Sequence, residues 1–143
     1  MAVTVETLTV IDDEIVEAFA RLVPQLSSTA KQLDREALER LVSAESTTVL
    51  VARSGEQVVG TLSLVMFPIP SGLRARIEDV VVDDSARGQG VGAALIEEAK
   101  GRARDAGART VDLTSRAERV AANRLYERLG FRVRESRVYR VQG

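Results

Sequence analysis

The sequence predicts an α/β fold of the mixed α+β kind: one mainly antiparallel sheet with helices on both faces, in the order β-α-α-β-β-β-α-β-α-β. Three observations lead there. Apolar residues recur at helical spacing in some segments and form extended runs in the stretches between them. Ser54-Gly55-Glu56 is a hairpin signal joining two of the extended runs, which makes those neighbours antiparallel. A β-branched run, Ile77 with Val80, Val81 and Val82, passes through a glycine-rich turn directly into a helix, as a strand buried near the middle of a sheet would.

The elements follow in order. Val3, Val5, Leu8 and Val10 mark a first strand with imperfect alternation. From Asp12 to Val23, with Asp12 or Asp13 as N-cap, the residues Ile15, Val16, Phe19, Leu22 and Val23 predict a helix that stops before Pro24. Gln25 to Gln32 is polar and reads as a loop, and Asp34 caps a second helix reaching about Ser43. Thr48 to Arg53 and Gln57 to Met66 read as paired strands. Pro68 and Pro70 lack ladder donors, so Phe67 to Gly72 is expected to leave the sheet as a stiff loop, either an ordinary connection or a lid beside the central strand Leu73 to Val82. A third helix runs from Val91 to about Ala106 with Gly107 as C-cap, followed by a strand from Arg109 to Thr114. Val120 to Leu129 is helical, Gly130 stops it, and Phe131 to Val141 reads as a final strand.

Composition bounds the chemistry. A chain of 143 residues is most simply one domain, spanning residues 1–143, with a core that needs no disulfide or metal. Lys and Arg total 20 against 21 Asp and Glu, so the overall field favours neither nucleic acid nor an anionic membrane, and any anion site must be local. Without cysteine or histidine, thiolate nucleophiles, Ser-His-Asp triads and the common zinc sites are excluded, and no metal is expected. The opening residues read as no signal peptide and no apolar run reaches the length of a membrane span. The lack of cysteine fits the cytoplasm.

The glycine-rich turn is the chemically informative stretch. Gly88, Gly90 and Gly92 leave backbone N–H groups bare at a helix N-terminus, with Arg87 beside them, which suits a phosphate or pyrophosphate; the bland alternative is a tight connection with a solvated arginine. A P-loop would end in Gly-Lys-Ser/Thr, where this chain has Gly90-Val91-Gly92. The spacing also fails the G-x-G-x-x-G dinucleotide fingerprint.

Arg87-Gly88-Gln89-Gly90-Val91-Gly92 resembles the R/Q-x-x-G-x-G/A loop of the GCN5-related N-acetyltransferases, the GNAT superfamily. It follows an I-E-D-V-V-V-D strand of the family's kind, and Asn123-Arg124-Leu125-Tyr126-Glu127-Arg128-Leu129-Gly130-Phe131 resembles its second signature. The likeness covers the chain from Leu73 onward. It implies acetyl-CoA as cosubstrate and a primary amine, of a small molecule or a peptide, as acceptor; neither nucleic acid nor membrane is an expected partner, and a homodimer is compatible with it.

By that resemblance the backbone from Arg87 through Gln89 to Gly92 holds the pyrophosphate. The central strand bulges and splays, so that Val80, Val81 and Val82 lie along the pantetheine with one N–H near the thioester carbonyl. Asn123 binds cofactor and Tyr126, protonated at neutral pH, acts as general acid toward the departing thiolate. On the helix alone, Tyr126 better suits a minor core with Leu125, Leu129 and Phe131, and its place in the second signature is what favours the acid. Glu78 is the candidate base, where burial would raise its pKa; the alternatives are a water chain, or a structural carboxylate paired with Arg74 or Arg76. Asp79 is expected on the opposite face. The strand and helix also resemble glucosamine-phosphate N-acetyltransferases, but Arg116 and Arg119 stand where those are acidic, so the acceptor stays open. A non-catalytic acyl-CoA-binding or regulatory module of the same fold is the second reading.

Overall fold

Alternation along β2 (Thr47–Ser54) sends Val49 and Val51 to one side of the sheet and Leu50 and Ala52 to the other, so the sheet separates two apolar cores. The computed structural model describes residues 2–143. Among the described residues five strands lie in the spatial order β1-β2-β3-β4-β5, with β1 at Val3–Thr7, β3 at Gln57–Ile69, β4 at Gly72–Val82 and β5 at Val111–Asp112. All neighbours are antiparallel except β4 and β5, which run parallel.

One core is closed by α1 (Asp13–Leu26) and α2 (Arg35–Ser43), through Ile15, Phe19, Leu22 and Leu38. The other is closed by α3 (Val91–Asp105) and α4 (Val120–Arg128), through Val91, Leu95, Ile96, Ala99 and Tyr126. Helix α3 approaches the sheet closely over Gly60, where a Cβ would stand 2.9 Å from Val91 Cγ1 and 3.1 Å from the Val81 carbonyl oxygen. Asp12 and Asp34 cap α1 and α2 by accepting from Ile15 N and Ala37 N at 2.9 and 2.8 Å. The fold class and the alternation of elements agree with the sequence reading up to α4.

Four expectations need correction. Helix α1 continues through Pro24 to Leu26, because a proline so near the C-terminus forfeits only one late hydrogen bond. The Phe67–Gly72 segment does not leave the sheet: Phe67, Pro68 and Ile69 pair with Arg74, Leu73 and Gly72, so β3 and β4 form a tight hairpin and there is no lid. Leu73 turns its carbonyl to Arg109 N, so Pro68 opposite it owes β4 no donor, and on its other side β2 has already ended at Thr47, opposite Val65. Strand β5 is two residues long rather than six: Arg109 N and Thr110 O bond to Leu73 O and Ala75 N, ladder pairs form only at Ala75 and Arg76, and beyond Asp112 no pair follows. Finally, Phe131 to Val141 is not a strand. Gly130, at φ +96°, turns the chain away from α4, residues 132–143 are exposed, and no strand lies alongside to supply a ladder.

Candidate active site

The centre of the site is an irregularity in β4. Ser63 faces Glu78 and Thr61 faces Val81, so β4 spends one more residue than β3 between the same two pairs. Asp79 absorbs it as a β-bulge at φ +50°, a left-handed conformation that aspartate tolerates better than most residues. The bulge fixes the direction of the backbone beyond it. Asp83 N donates to Val59 O at 2.8 Å and Val81 pairs with Thr61, so these two face β3, while the N–H and C=O groups of Val80 and Val82 face the other way. No strand receives them there: β5 leaves β4 after the Arg76–Asp112 pair. The result is a wedge between two parallel strands, with bare backbone on its β4 wall.

The glycine loop lies at the same end. Asp83 caps a single 3-10 turn, Asp84–Ala86, by accepting from Ser85 N at 3.2 Å. Gly88 and Gly90 follow in left-handed conformations, φ +81° and +79°, and a Cβ at either would meet nothing within 4 Å. Gly90 stands at the N-cap of α3, where no side chain caps the helix, and the first helical bond is Ala94 N to Gly90 O at 3.0 Å. The N–H groups of Val91, Gly92 and Ala93 are thus unclaimed within the helix and point toward the open ground over the loop. Arg87 is exposed and ion-paired with Asp84 at 2.9 Å.

Helix α4 brings the second signature beside this wedge. Gly92 and Leu125 are adjacent, with a Cβ at Gly92 lying 3.4 Å from Leu125 Cδ2. Tyr126 is buried, its ring edge-on to Phe131 with centroids 6.2 Å apart. Lys100 of α3 holds the end of α4 by donating to Leu129 O, and its ammonium lies 6.0 Å over the Phe131 ring. Asn123 shares the face of Tyr126 but is engaged locally: its amide donates to Arg116 O at 3.0 Å and its oxygen accepts from Ser115 Oγ at 2.5 Å, folding the β5–α4 loop onto the helix.

Glu78 is half-exposed rather than buried, and Arg76 Nε donates to it at 2.7 Å, which is the alternative of a carboxylate paired with Arg76. Its neighbour Asp79 is pushed up from the ordinary carboxylate range, first by desolvation and then by the charge of Glu78. Arg74 is occupied elsewhere, donating to Thr110 Oγ1 and Ser71 Oγ at 3.0 and 2.9 Å. Arg116 and Arg119 are exposed, with no ion pair among the described residues.

A further cluster was invisible in the sequence. Arg21 on α1 donates to Asp83 at 2.9 Å and to Val58 O at 2.7 Å, and Gln25 accepts from Asp84 N at 2.9 Å. Burial pushes the Asp83 carboxyl up, yet the hydrogen bonds from Arg21, Ser85 and Gln25 outweigh it and hold the group below its usual range. The end of α1 is thereby latched to the start of the glycine loop across 62 residues of sequence.

Comparison with known proteins agrees with this arrangement. The model of the acetyltransferase (GNAT) family matches residues 12–131. A glucosamine 6-phosphate N-acetyltransferase of Trypanosoma brucei brucei is 43% identical over 82 residues, covering 55% of this chain and 54% of that protein, so the chain spans about half the length of that curated relative. Among solved structures, a Trypanosoma brucei acetyltransferase superposes with TM-score 0.78 at 26% identity, covering 99% of this chain and 100% of the other. A transcriptional regulator from Bacillus halodurans superposes with TM-score 0.81 at 29% identity over the same shares. The chain belongs to the GNAT family of acetyltransferases.

Proposed function

We propose that the chain is an acetyl-CoA-dependent N-acetyltransferase that passes acetyl directly to a primary amine of a small molecule or peptide. The observation that carries this reading is the meeting, at one end of β4, of a bare backbone wall at Val80 and Val82 with the unclaimed N–H groups that open α3. One suits an amide-bearing pantetheine chain, the other a pyrophosphate, and the open space over Gly88 and Gly90 admits phosphate oxygens where any side chain would stand. Acetyl-CoA supplies the acetyl group as a thioester, whose carbon–sulfur bond breaks as the amine nitrogen bonds to the acetyl carbon.

In this reading the backbone of Arg87, Gly88, Gln89, Gly90, Val91 and Gly92 holds the pyrophosphate. Val80 or Val82 aims an N–H at the thioester carbonyl oxygen, while Val81, turned to Thr61, keeps the wall in place. Tyr126 gives its hydroxyl proton to the departing sulfur, a role that its place on the α4 face beside Gly92 and the opening of α3 supports. Glu78 takes the proton that the attacking ammonium must lose, directly or through water. Asn123 acts by ordering the Ser115–Ala117 loop that borders the wedge.

The test is release of CoA from acetyl-CoA with a panel of amines: amino sugars including glucosamine 6-phosphate, polyamines, small amines and peptide N-termini. Turnover with at least one, lowered by roughly 100-fold or more in Tyr126→Phe, is expected. Binding of acetyl-CoA without transfer to any of them, unchanged by Tyr126→Phe, would make the chain an acyl-CoA-binding module.

A further inference from the structure

The glycine loop is hung from its two ends. At one end Val91 and Leu95 of α3 are buried in the core. At the other the 3-10 turn is gripped from both layers: Ala86 is buried in the core that α3 closes, while Asp83, only 6 % exposed, turns its carboxylate to Arg21 of α1 on the far side of the sheet. Between these anchors Arg87, Gly88, Gln89 and Gly90 are all exposed, so burial does not fix them. Their position is inherited from the ends.

Arg21 and Gln25 stand four residues apart and so share a face of α1, and Gln25 is helical only because α1 continues past Pro24 to Leu26. Arg21 spreads its planar fork between Asp83 and Val58 O, which fixes the carboxylate relative to β3. Gln25 donates to Arg21 O at 3.2 Å and accepts from Asp84 N. Asp84 in turn holds Arg87: its carbonyl accepts from Arg87 N at 3.5 Å and its carboxylate pairs with the guanidinium. A chain of bonds thus runs from α1 to the first residue of the loop. Charge runs with it. Two carboxylates directly precede an anion-binding loop, and each is paired with an arginine, Asp83 with Arg21 and Asp84 with Arg87. Unpaired, either would repel phosphate oxygens.

We propose that Arg21 and Gln25 are positioning residues for cofactor binding: without touching the cofactor, they fix and neutralise the Asp83–Asp84 turn from which the N–H groups of Arg87 to Gly92 are aimed at the pyrophosphate. This role rests on the acetyl-CoA reading above; what it adds is that a helix of the opposite layer sets the affinity for the cofactor's phosphates. Arg21 acts through both geometry and charge, Gln25 through geometry alone. The β4 wall that would carry pantetheine is held by its own pairing with β3, so the effect is confined to the phosphate half of the cofactor.

Calorimetric titration of the full chain with CoA, and with pantetheine as the probe that lacks the pyrophosphate, tests the role. Affinity for CoA should fall about 10-fold in Arg21→Leu and about 3-fold in Gln25→Leu, with affinity for pantetheine unchanged in both. Arg21→Lys keeps the charge but has no fork to span Asp83 and Val58 O, and should fall between wild type and Arg21→Leu. Gln25→Leu leaves the Arg21–Asp83 pair in place, so it probes the chain of bonds in a chain that keeps its fold, as a melting curve on the same sample checks. Wild type that binds no CoA overturns the acetyl-CoA reading and the positioning role with it. Wild type that binds CoA while both leucine variants bind it equally well overturns the positioning role alone. Equal losses toward CoA and pantetheine also overturn it, because they mark a general loosening of the fold and not a displaced loop.

Discussion

Removing Arg21 tests how α1 and the glycine loop are joined. In Arg21→Ala, Asp83 and the Val58 carbonyl both lose a charged donor, from bonds of 2.9 and 2.7 Å. Hydrogen bonds to charged groups contribute about 1.5–3 kcal/mol each, and the Arg21 side chain is a third exposed, so water recovers part of the loss; a net destabilisation of about 2 kcal/mol follows. At about 2.1 cal/mol/K of unfolding entropy per residue, that lowers the melting temperature by roughly 7 °C. The pH dependence adds a signature. Asp83 is held below its unfolded value, so its contribution is present above the ordinary carboxylate pKa of about 3.9 and disappears as pH falls through the folded value. The gap between wild type and variant is therefore full at pH 7 and narrows below about pH 4 to what the Val58 carbonyl contact contributes. Differential scanning calorimetry with denaturant melts across that range measures both. A shift under about 2 °C at pH 7, or a gap that persists undiminished in acid, would refute the latch.

Other perturbations follow from the same geometry. Gly60→Ala places a methyl 2.9 Å from Val91 and 3.1 Å from a carbonyl oxygen, and a loss of about 1–3 kcal/mol is expected in urea unfolding. Gly90→Ala meets no neighbour, but its φ of +79° costs about 1 kcal/mol in a non-glycine residue; calorimetry should show that small loss and titration a weaker affinity for acetyl-CoA. Tyr126→Phe should leave the melting temperature nearly unchanged, because the ring keeps its packing against Phe131, while slowing acetyl transfer. Asp79 has a raised folded pKa, so its ionisation opposes folding once pH rises through that value. Asp79→Asn should accordingly raise the melting temperature at pH 7, with the advantage vanishing below about pH 4.

What was legible in the sequence was whatever local backbone demands dictate. Gly88 and Gly90 announce left-handed positions, Asp12 and Asp34 announce caps, and the spacing of Asn123 and Tyr126 announces a shared helix face. Features that depend on a distant partner were hidden. The Asp79 bulge exists only in relation to the register of β3, and the simple alternation of a strand misplaces everything after it. Pro68 looked like a strand breaker because its tolerance depends on β2 having ended. Glu78 lies half-exposed beside Arg76, two residues away on the same strand, a pairing that a strand's burial pattern does not encode. The Phe131–Val141 pattern read correctly as strand-forming, but a pattern does not contain the partner that a strand requires.

The sheet that divides the interior has a consequence for how such a chain diversifies. The helices that wall one face, α1 and α2, share no core residue with α3 and α4 on the other. Substitutions among Ile15, Phe19 and Leu38 can reshape one surface while the opposite layer keeps its packing, with the Arg21–Asp83 contact as a polar thread between them. A lineage built this way can remodel one layer and keep the other.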